Sequence, residues 1–302
     1  MAGIDLSVVI AGHNAAQVIE TCLLALEPQA AAPGIEVILA DSSTDGTAAI
    51  VARRFPWVEV VHSDEPLAVP ALRGRGIARA RGRIIAIIDP FSVVAPNWAT
   101  EVLAAHDRQR HIVIGGTVDL YRAEAASYST WSLYLNEYGL FMSPVARGET
   151  WILPGSNLSY KRAALFDGDR PRYPVFWKTY VNWELEGGGS PMWLEPDIRV
   201  ELNKPLAFTD FLSTRYAHGR CFGGMRVQDA STAVKVARAG STIVVPLVLL
   251  WRWTAGFWPK RRRRLRFAAT IPAQLAFFGV WAWGEAWGSL RGPRTCCEQL
   301  YY

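Results

Sequence analysis

The sequence Ser7-Val8-Val9-Ile10-Ala11-Gly12-His13-Asn14 is followed, about thirty residues later, by Asp41-Ser42-Ser43-Thr44-Asp45-Gly46-Thr47. An apolar run precedes the polar end of each stretch, at residues 8–10 and at residues 37–39. Between the two runs, apolar residues recur at helical spacing over residues 18–26. The pattern predicts a strand–helix–strand unit with parallel neighbouring strands. Both polar clusters are then expected at the carboxyl edge of one sheet, where such sheets bind ligands.

The second polar cluster has two interpretations. It is a good strand-to-helix turn, since Thr44 or Asp45 can cap a helix that starts near Thr47. The carboxylate of Asp41, at a strand end, can also accept hydrogen bonds from a nucleobase or a ribose. No glycine-rich phosphate loop accompanies the cluster, which disfavours an ordinary dinucleotide-binding site.

Five segments in this order resemble the family 2 glycosyltransferases of the GT-A fold. The resemblance covers roughly residues 5 to 205 and implies a GT-A (Rossmann-like) α/β domain over residues 1–207. Its sheet is expected to be mixed and mainly parallel, with helices on both faces. The matching segments are residues 7–14, residues 41–47, residues 71–82, residues 84–89 and residues 153–162.

The resemblance implies transfer of a sugar from a nucleotide-sugar to an acceptor, with inversion at the anomeric carbon. A base must take the acceptor proton, and something positive must hold the leaving diphosphate. The residues expected to bind the donor are His13, Asn14, Asp41, Asp45, Arg73 and Asp89.

The metal-binding motif of the family departs from its usual form. The family's Asp-x-Asp reads Asp89-Pro90-Phe91 here, so only the first carboxylate is kept. Asp89 with diphosphate oxygens can still hold Mg²⁺ or Mn²⁺. Alternatively, arginines of the preceding helix neutralise the diphosphate without a metal. The candidates are Arg73, Arg75 and Arg79.

The catalytic base also departs from the family pattern. Lys178 stands about where the family has an acidic residue, and Glu184 lies about two turns further along. Glu184 is the candidate base, with an exposed helix charge as the ordinary alternative. Two other functions stay open: a degenerate protein that binds nucleotide-sugars without turnover, and a membrane-surface scaffold.

Composition points to a membrane surface. Hydrophobic residues make up 50% of the 302 residues, there are 13 Trp, and the net charge is +5. Residues 131–141 carry aromatics at helical spacing and predict a helix packed on the domain or at a membrane interface. The four cysteines lack zinc-ligand or redox spacing and are expected to be reduced thiols.

Residues 208–302 are expected to associate with a membrane. A basic amphipathic helix over residues 208–226, ended by Gly223 and Gly224, suits an anionic headgroup. Two apolar segments follow: residues 243–258, short for a spanning helix and interpreted as interfacial or re-entrant, and residues 267–290, which span or lie in the same plane. The residues expected to contact lipid are Arg215, His218, Arg220, Lys260, Arg261 and Arg262.

The basic run at residues 260–264 orients the chain. By the positive-inside rule it stays in the cytoplasm, which predicts a cell-membrane protein with a cytoplasmic catalytic domain. Its tryptophan-rich flanks favour an anionic lipid surface over nucleic acid as the partner. The acceptor is expected to be a lipid or lipid-linked, and the sequence does not give the oligomeric state.

Overall fold

The computed structural model describes residues 3–204, 207–258, 260 and 263–297. They form two units, which we call the sheet unit (Met1–Tyr121 with Phe141–Lys204) and the helical unit (Arg122–Leu140 with Pro205–Tyr302). A domain boundary at residue 207 stays a prediction, since the helical unit also takes in residues 122–140.

The strands all belong to the sheet unit. Nine of them form one sheet in the order β3-β2-β1-β4-β8-β6-β11-β5, with β7 paired to β11, and β9 and β10 form a separate pair. The strands are β1 (Leu6–Gly12), β2 (Ile35–Asp41), β3 (Val58–His62), β4 (Ile84–Ile88), β5 (Ser92–Val94), β6 (Val113–Leu120), β7 (Gly148–Thr150), β8 (Asn157–Lys161), β9 (Phe166–Asp167), β10 (Arg170–Pro171) and β11 (Met192–Leu202).

The helices are divided between the two units. Those of the sheet unit are α1 (Ile19–Ala30), α2 (Thr47–Arg54), α3 (Val69–Arg79), α4 (Trp98–Arg108), α6 (Arg162–Leu165) and α7 (Lys178–Gly187). Those of the helical unit are α5 (Tyr128–Tyr138), α8 (Phe208–Arg226), α9 (Thr232–Ser241), α10 (Val245–Phe257) and α11 (Arg264–Arg291).

Strand directions confirm a mixed, mainly parallel sheet. The strands β3, β2, β1 and β4 are mutually parallel, β8 is antiparallel to both β4 and β6, and β6 is parallel to β11. Six strands of the described sheet therefore run in one direction. Their carboxyl ends all lie at the same edge.

Helices cover both faces of this sheet. Val9 and Leu158 share one core cluster with Ile77 of α3, so α3 lies on their face. Ser159 points to the other face because side chains alternate along a strand. There it meets α4, through a contact of 2.9 Å between its Oγ and the Nε2 of His106. Burial lowers the pKa of His106 to about 3, which keeps this ring neutral.

In the helical unit, α8 and α11 pack with their backbones in contact. A methyl group on Gly219 would overlap the carbonyl oxygen of Trp281, and one on Gly288 would overlap that of Arg220. Gly223 and Gly224 lie inside α8, which has the predicted bounds, so their predicted role as the end of the helix is wrong. They serve this close packing and do not stop the helix.

A disulfide corrects the prediction that every cysteine is a free thiol. Cys221 on α8 is bonded to Cys297, which lies after α11, whereas Cys22 and Cys296 are free. The sequence spacing of 76 residues gave no signal for this pair. The inference of a reducing compartment, which rested on four unpaired cysteines, loses its basis.

The first C-terminal apolar segment is longer than expected. The helical run Thr232–Phe257 has 26 residues, because α9 extends α10 backwards through Lys235 and Arg238. By length and composition, this run and the 28-residue Arg264–Arg291 could each cross a membrane. They differ in burial: 6% of the most apolar stretch of the first run is buried, against 39% for the second.

Candidate functional site

Polar side chains collect at the edge of the sheet where the parallel strands end. The register pairs Gly12 with Asp41 and Ile10 with Ile88, which places Asp41 and Asp89 at the same edge. The polar residues at this edge are His62 after β3, Asp41 in β2, His13 and Asn14 after β1, Asp89 after β4, Asp119 in β6 and Glu201 in β11.

Asp41 is fully buried and bonded on both oxygens. Its Oδ1 accepts from the hydroxyl of Ser43 at 2.5 Å, and its Oδ2 lies 2.7 Å from Nδ1 of His62. His62 is at the end of β3, in register with Asp41. Sequence analysis missed this histidine, although it follows the apolar residues Val60 and Val61 much as Asp41 follows the apolar run of residues 37–40.

Asn14 and Asp45 hold the two loops of the edge together. The Oδ1 of Asn14 accepts from the amide of Thr44 at 3.0 Å, and the Oδ2 of Asp45 accepts from the amide of Ala16 at 3.0 Å. Partial burial raises the pKa of Asp45, but its hydrogen bonds from Thr47 and Ala16 outweigh this and the net pKa is lowered. We call these bonds the loop clasp.

His13 also contacts the second loop, since its Nδ1 lies 3.2 Å from the carbonyl oxygen of Ser42. The donor-binding roles of His13, Asn14 and Asp45 stay predictions.

Asp89 forms a buried ion pair with Arg73. The Nη2 of Arg73 lies 2.8 Å from Oδ1 of Asp89, and the two side chains are 11% and 3% exposed. The same Nη2 donates to the carbonyl oxygen of Gly155 at 3.4 Å. Of the three candidate arginines, Arg73 is therefore the one that reaches the edge, because Arg75 is exposed and Arg79 pairs with Glu59.

Lys178 lies beside this ion pair. Its Nζ donates to the carbonyl oxygen of Leu153 at 2.8 Å. A methyl group placed on Gly155 would lie 3.7 Å from Nη2 of Arg73 and 3.8 Å from Cδ of Lys178. The residue that replaces the family's acid is thus a second cationic side chain that approaches Gly155, as Arg73 does.

The protein side chains at Asp89 do not make a metal site. No group of three or more His, Cys, Asp or Glu that could hold a metal ion occurs among the described residues. The only carboxylate kept from the family motif has an oxygen paired with Arg73. Phe91, in place of the second carboxylate, is buried, with the Nζ of Lys204 5.1 Å from its ring centre. The residues present therefore do not fit a protein-built Mg²⁺ or Mn²⁺ site.

Glu184 is exposed on α7. Burial and the neighbouring Glu184 carboxylate raise the pKa of Tyr173, which places these two side chains close together. The role of Glu184 as a base stays a prediction.

Two further carboxylates at the edge were missed by sequence analysis. Asp119 and Glu201 are direct neighbours in the register of β6 and β11. Asp119 accepts from the amide and the hydroxyl of Ser143 at 2.9 and 2.7 Å. Partial burial and the adjacent Asp119 raise the pKa of Glu201. The apolar run of residues 112–114 before Asp119 could have predicted a strand that ends near this carboxylate.

The basic residues expected at a lipid surface differ in how deeply they are buried. Arg215 and His218 contact each other, at 2.7 Å between Nη2 and Nδ1. Arg220 is 9% exposed with its Nε toward the carbonyl oxygen of Gly292, and Lys260 is 5% exposed with its Nζ toward that of Leu140. Burial leaves these last two poorly placed for a headgroup, while Arg261 and Arg262 lie outside the described residues.

Comparisons with known proteins agree with this geometry. Residues 7–167 match the profile of the family described as Glycosyl transferase family 2. A search among curated proteins gives no match.

Two solved structures have a similar fold. One is the mannosyltransferase PcManGT from Pyrobaculum calidifontis in complex with GDP-Man and Mn²⁺, with a TM-score of 0.59, 16% identity, and coverage of 95% of this chain and 90% of that one. The other is S. aureus TarS 1-349 in complex with UDP-GlcNAc, with a TM-score of 0.50, 15% identity and coverage of 70% of this chain. This chain spans 65% of that TarS structure.

Proposed function

This chain belongs to glycosyl transferase family 2, and from that premise we propose that it is an active enzyme that moves a sugar from a nucleotide-sugar to an acceptor with inversion. The observation that carries the proposal is the position of Asp41 and Asp89 at one edge of the parallel strands. Ligands of such sheets bind at this edge. A donor there has carboxylate acceptors for its nucleoside and cations for its diphosphate.

The donor is proposed to lie along the edge from β3 to β4. Asp41 takes the nucleobase, in a position fixed by His62. His13, Asn14 and Asp45 line the nucleoside end, where the loop clasp keeps the loops in place before the donor arrives. Arg73 and Asp89 lie at the diphosphate end. Complexes of the two similar structures contain GDP-Man and UDP-GlcNAc, which makes these two compounds suitable first donors.

The transfer step needs a base on the acceptor side. The acceptor oxygen forms a bond to the anomeric carbon, the bond from that carbon to the diphosphate oxygen breaks with its electron pair, and the acceptor proton goes to the base. Glu184 is the candidate base by resemblance. Glu201 is a second candidate, supported by its raised pKa and its place at the same edge.

The acceptor is proposed to be a lipid or a lipid-linked sugar at the cell membrane, with the sheet unit in the cytoplasm. The exposed apolar side chains of residues 243–258 support this, since Ile243, Leu247 and Trp251 are 81%, 65% and 71% exposed. Side chains of this size do not usually face water in such numbers, and they suit a lipid interface. Arg215 and His218 would meet an anionic headgroup.

The test is a binding and turnover assay on the full chain in detergent, with UDP-GlcNAc and GDP-Man and with and without Mn²⁺. Saturable binding followed by release of UDP or GDP supports the enzyme. Saturable binding without release supports the degenerate binding protein. This outcome must be distinguished from turnover because Phe91 and Lys178 replace two acidic residues of the family. The absence of binding to UDP, GDP and both sugars would contradict the proposal and leave the membrane-surface scaffold.

A further inference from the structure

Arg73 and Lys178 lie together where the family is expected to hold a divalent cation, and we infer that these two side chains neutralise the leaving diphosphate in its place. The inference rests on the proposed function and names the groups that hold the donor's phosphates. It predicts a family 2 glycosyltransferase whose donor binding does not require a metal.

The local charge favours an anion over a metal ion. Arg73 and Lys178 are both positive, and Lys204 adds a third cation over the ring of Phe91. Asp89 is the carboxylate that faces this group, and it is already paired with Arg73. A divalent ion at Asp89 would compete with the guanidinium for this carboxylate and would lie close to its positive charge in a largely buried place. A diphosphate is an anion, so the same positive side chains attract it.

The N–H groups of arginine and lysine suit phosphate oxygens. A guanidinium presents several N–H groups in a plane that matches the oxygens of a phosphate, and an ammonium is a compact charge with three N–H donors. Lys178 is also the first residue of α7, which has no acidic residue in its first turn and no side-chain cap. The partial positive charge of a helix start adds to that of the lysine.

The two cationic side chains act on the diphosphate as it leaves. As the bond between the anomeric carbon and the diphosphate oxygen breaks, the electron pair stays on that oxygen, and the cations stabilise the charge that develops there. No proton transfer from Arg73 or Lys178 is needed. Gly155 adds no side chain between the two, whereas a methyl group there would be in van der Waals contact with both.

The experiment measures the binding of UDP and GDP to the full chain by calorimetry, in EDTA and in 1 mM Mn²⁺ (about the concentration that would saturate a typical weak site). We expect the better of the two nucleotides to bind with an affinity that changes by less than about threefold between the two conditions. Binding that appears only with Mn²⁺ overturns the inference and leaves the proposed function intact. No binding of either nucleotide in either condition overturns both.

Variants then test the two residues. Arg73→Lys and Lys178→Gln should each weaken binding of the diphosphate about tenfold or more in EDTA, but change binding of the corresponding monophosphate by less than about threefold. Arg75→Gln, exposed on the same helix, is the matched control and should bind both like the native chain. Folding of each variant is checked by its thermal unfolding. Equal losses for monophosphate and diphosphate, or no loss in either variant, would contradict the inference.

Discussion

The carboxylates at the edge of the sheet differ in their hydrogen-bond and ion-pair partners, and we assign their roles from these partners. Asp41 faces a histidine, Asp89 faces an arginine, and Asp45 accepts from backbone amides of two loops. All three carboxylates are bonded within the fold. Asp41 and Asp89 differ from Asp45 in that each has a basic side chain as a partner.

Asp41→Asn should weaken nucleotide binding about tenfold or more, because a charged hydrogen bond to the nucleobase becomes a neutral one. The amide keeps the size of the carboxylate and can still accept from Ser43. Calorimetry with UDP and GDP measures the effect. Asp64→Asn is the control, since Asp64 is exposed and lies 3.7 Å from the other nitrogen of His62. Unchanged affinity in Asp41→Asn would remove Asp41 from the site.

Asp45→Asn should destabilise the sheet unit at pH 7 by about 1 kcal/mol, since hydrogen bonds to a carboxylate are replaced by weaker ones. The pKa of Asp45 is lowered in the folded chain from 3.8, so its contribution is complete above that value and is lost as the pH falls through the folded pKa. The difference between variant and native chain in urea unfolding should therefore shrink on going from pH 7 to pH 3. A difference that grows at pH 3 would refute this role.

Glu201→Gln and Glu184→Gln separate the two candidate bases. A base works best when its pKa is near the working pH, and partial burial beside Asp119 raises the pKa of Glu201 toward that range. We expect Glu201→Gln to lower kcat about 10²-fold or more with donor affinity unchanged, and Glu184→Gln to lower it less than about threefold. The reverse ranking in steady-state turnover would return the role to Glu184.

At the scale of elements, the α8–α11 pair depends on glycine. Gly288→Ala should cost about 1–3 kcal/mol, since its methyl group would overlap the carbonyl oxygen of Arg220 and the helices must move apart. Gly279→Ala is the matched control in α11, because nothing lies within 4 Å of its added methyl group. Alanine there should be neutral or stabilising. Thermal unfolding in detergent measures both, and equal behaviour of the two variants would contradict the packing described.

The elements that sequence analysis predicted well are those whose pattern is local. The β1–α1–β2 unit follows from apolar runs and helical spacing, and α8 has the predicted bounds of residues 208 and 226. The roles of Gly223 and Gly224 were wrong because a glycine that ends a helix and one that admits a neighbouring backbone look alike in sequence. The disulfide between Cys221 and Cys297 joins distant positions and left no local pattern.

The candidate site was predictable only in part. The parallel register was enough to bring Asp41 and Asp89 to one edge. It did not reveal that Lys178 and Arg73 both approach Gly155, because three separate segments of the chain meet there. His62 and Asp119 were missed because the apolar runs before them are interrupted, by Glu59 in β3 and by residues 115–117 in β6.

For the whole molecule, membrane attachment should depend on α10 rather than on the C-terminal region at large. Replacing Ile243, Leu247 and Trp251 together by Ser should reduce sedimentation with anionic liposomes at least fivefold, because exposed apolar area is lost. Truncation near residue 240 is a poorer test, since α11 packs against α5 and α8 and their folding would suffer. Val234 and Val236 of α9 replaced by Ser provide a milder comparison. Full sedimentation of the triple variant would remove α10 as the anchor.

The glycine contact between α8 and α11 affects whether these two helices can pair in water, in a lipid bilayer or in both. Attraction between two backbones at close range comes from dispersion and from weak Cα–H···O bonds, neither of which requires water to be released. The part of the α8–α11 contact that depends on glycine should therefore be kept in an oily environment as well as in water. A polypeptide built in this way can complete its helix pairing before it reaches a bilayer and keep that pairing afterwards.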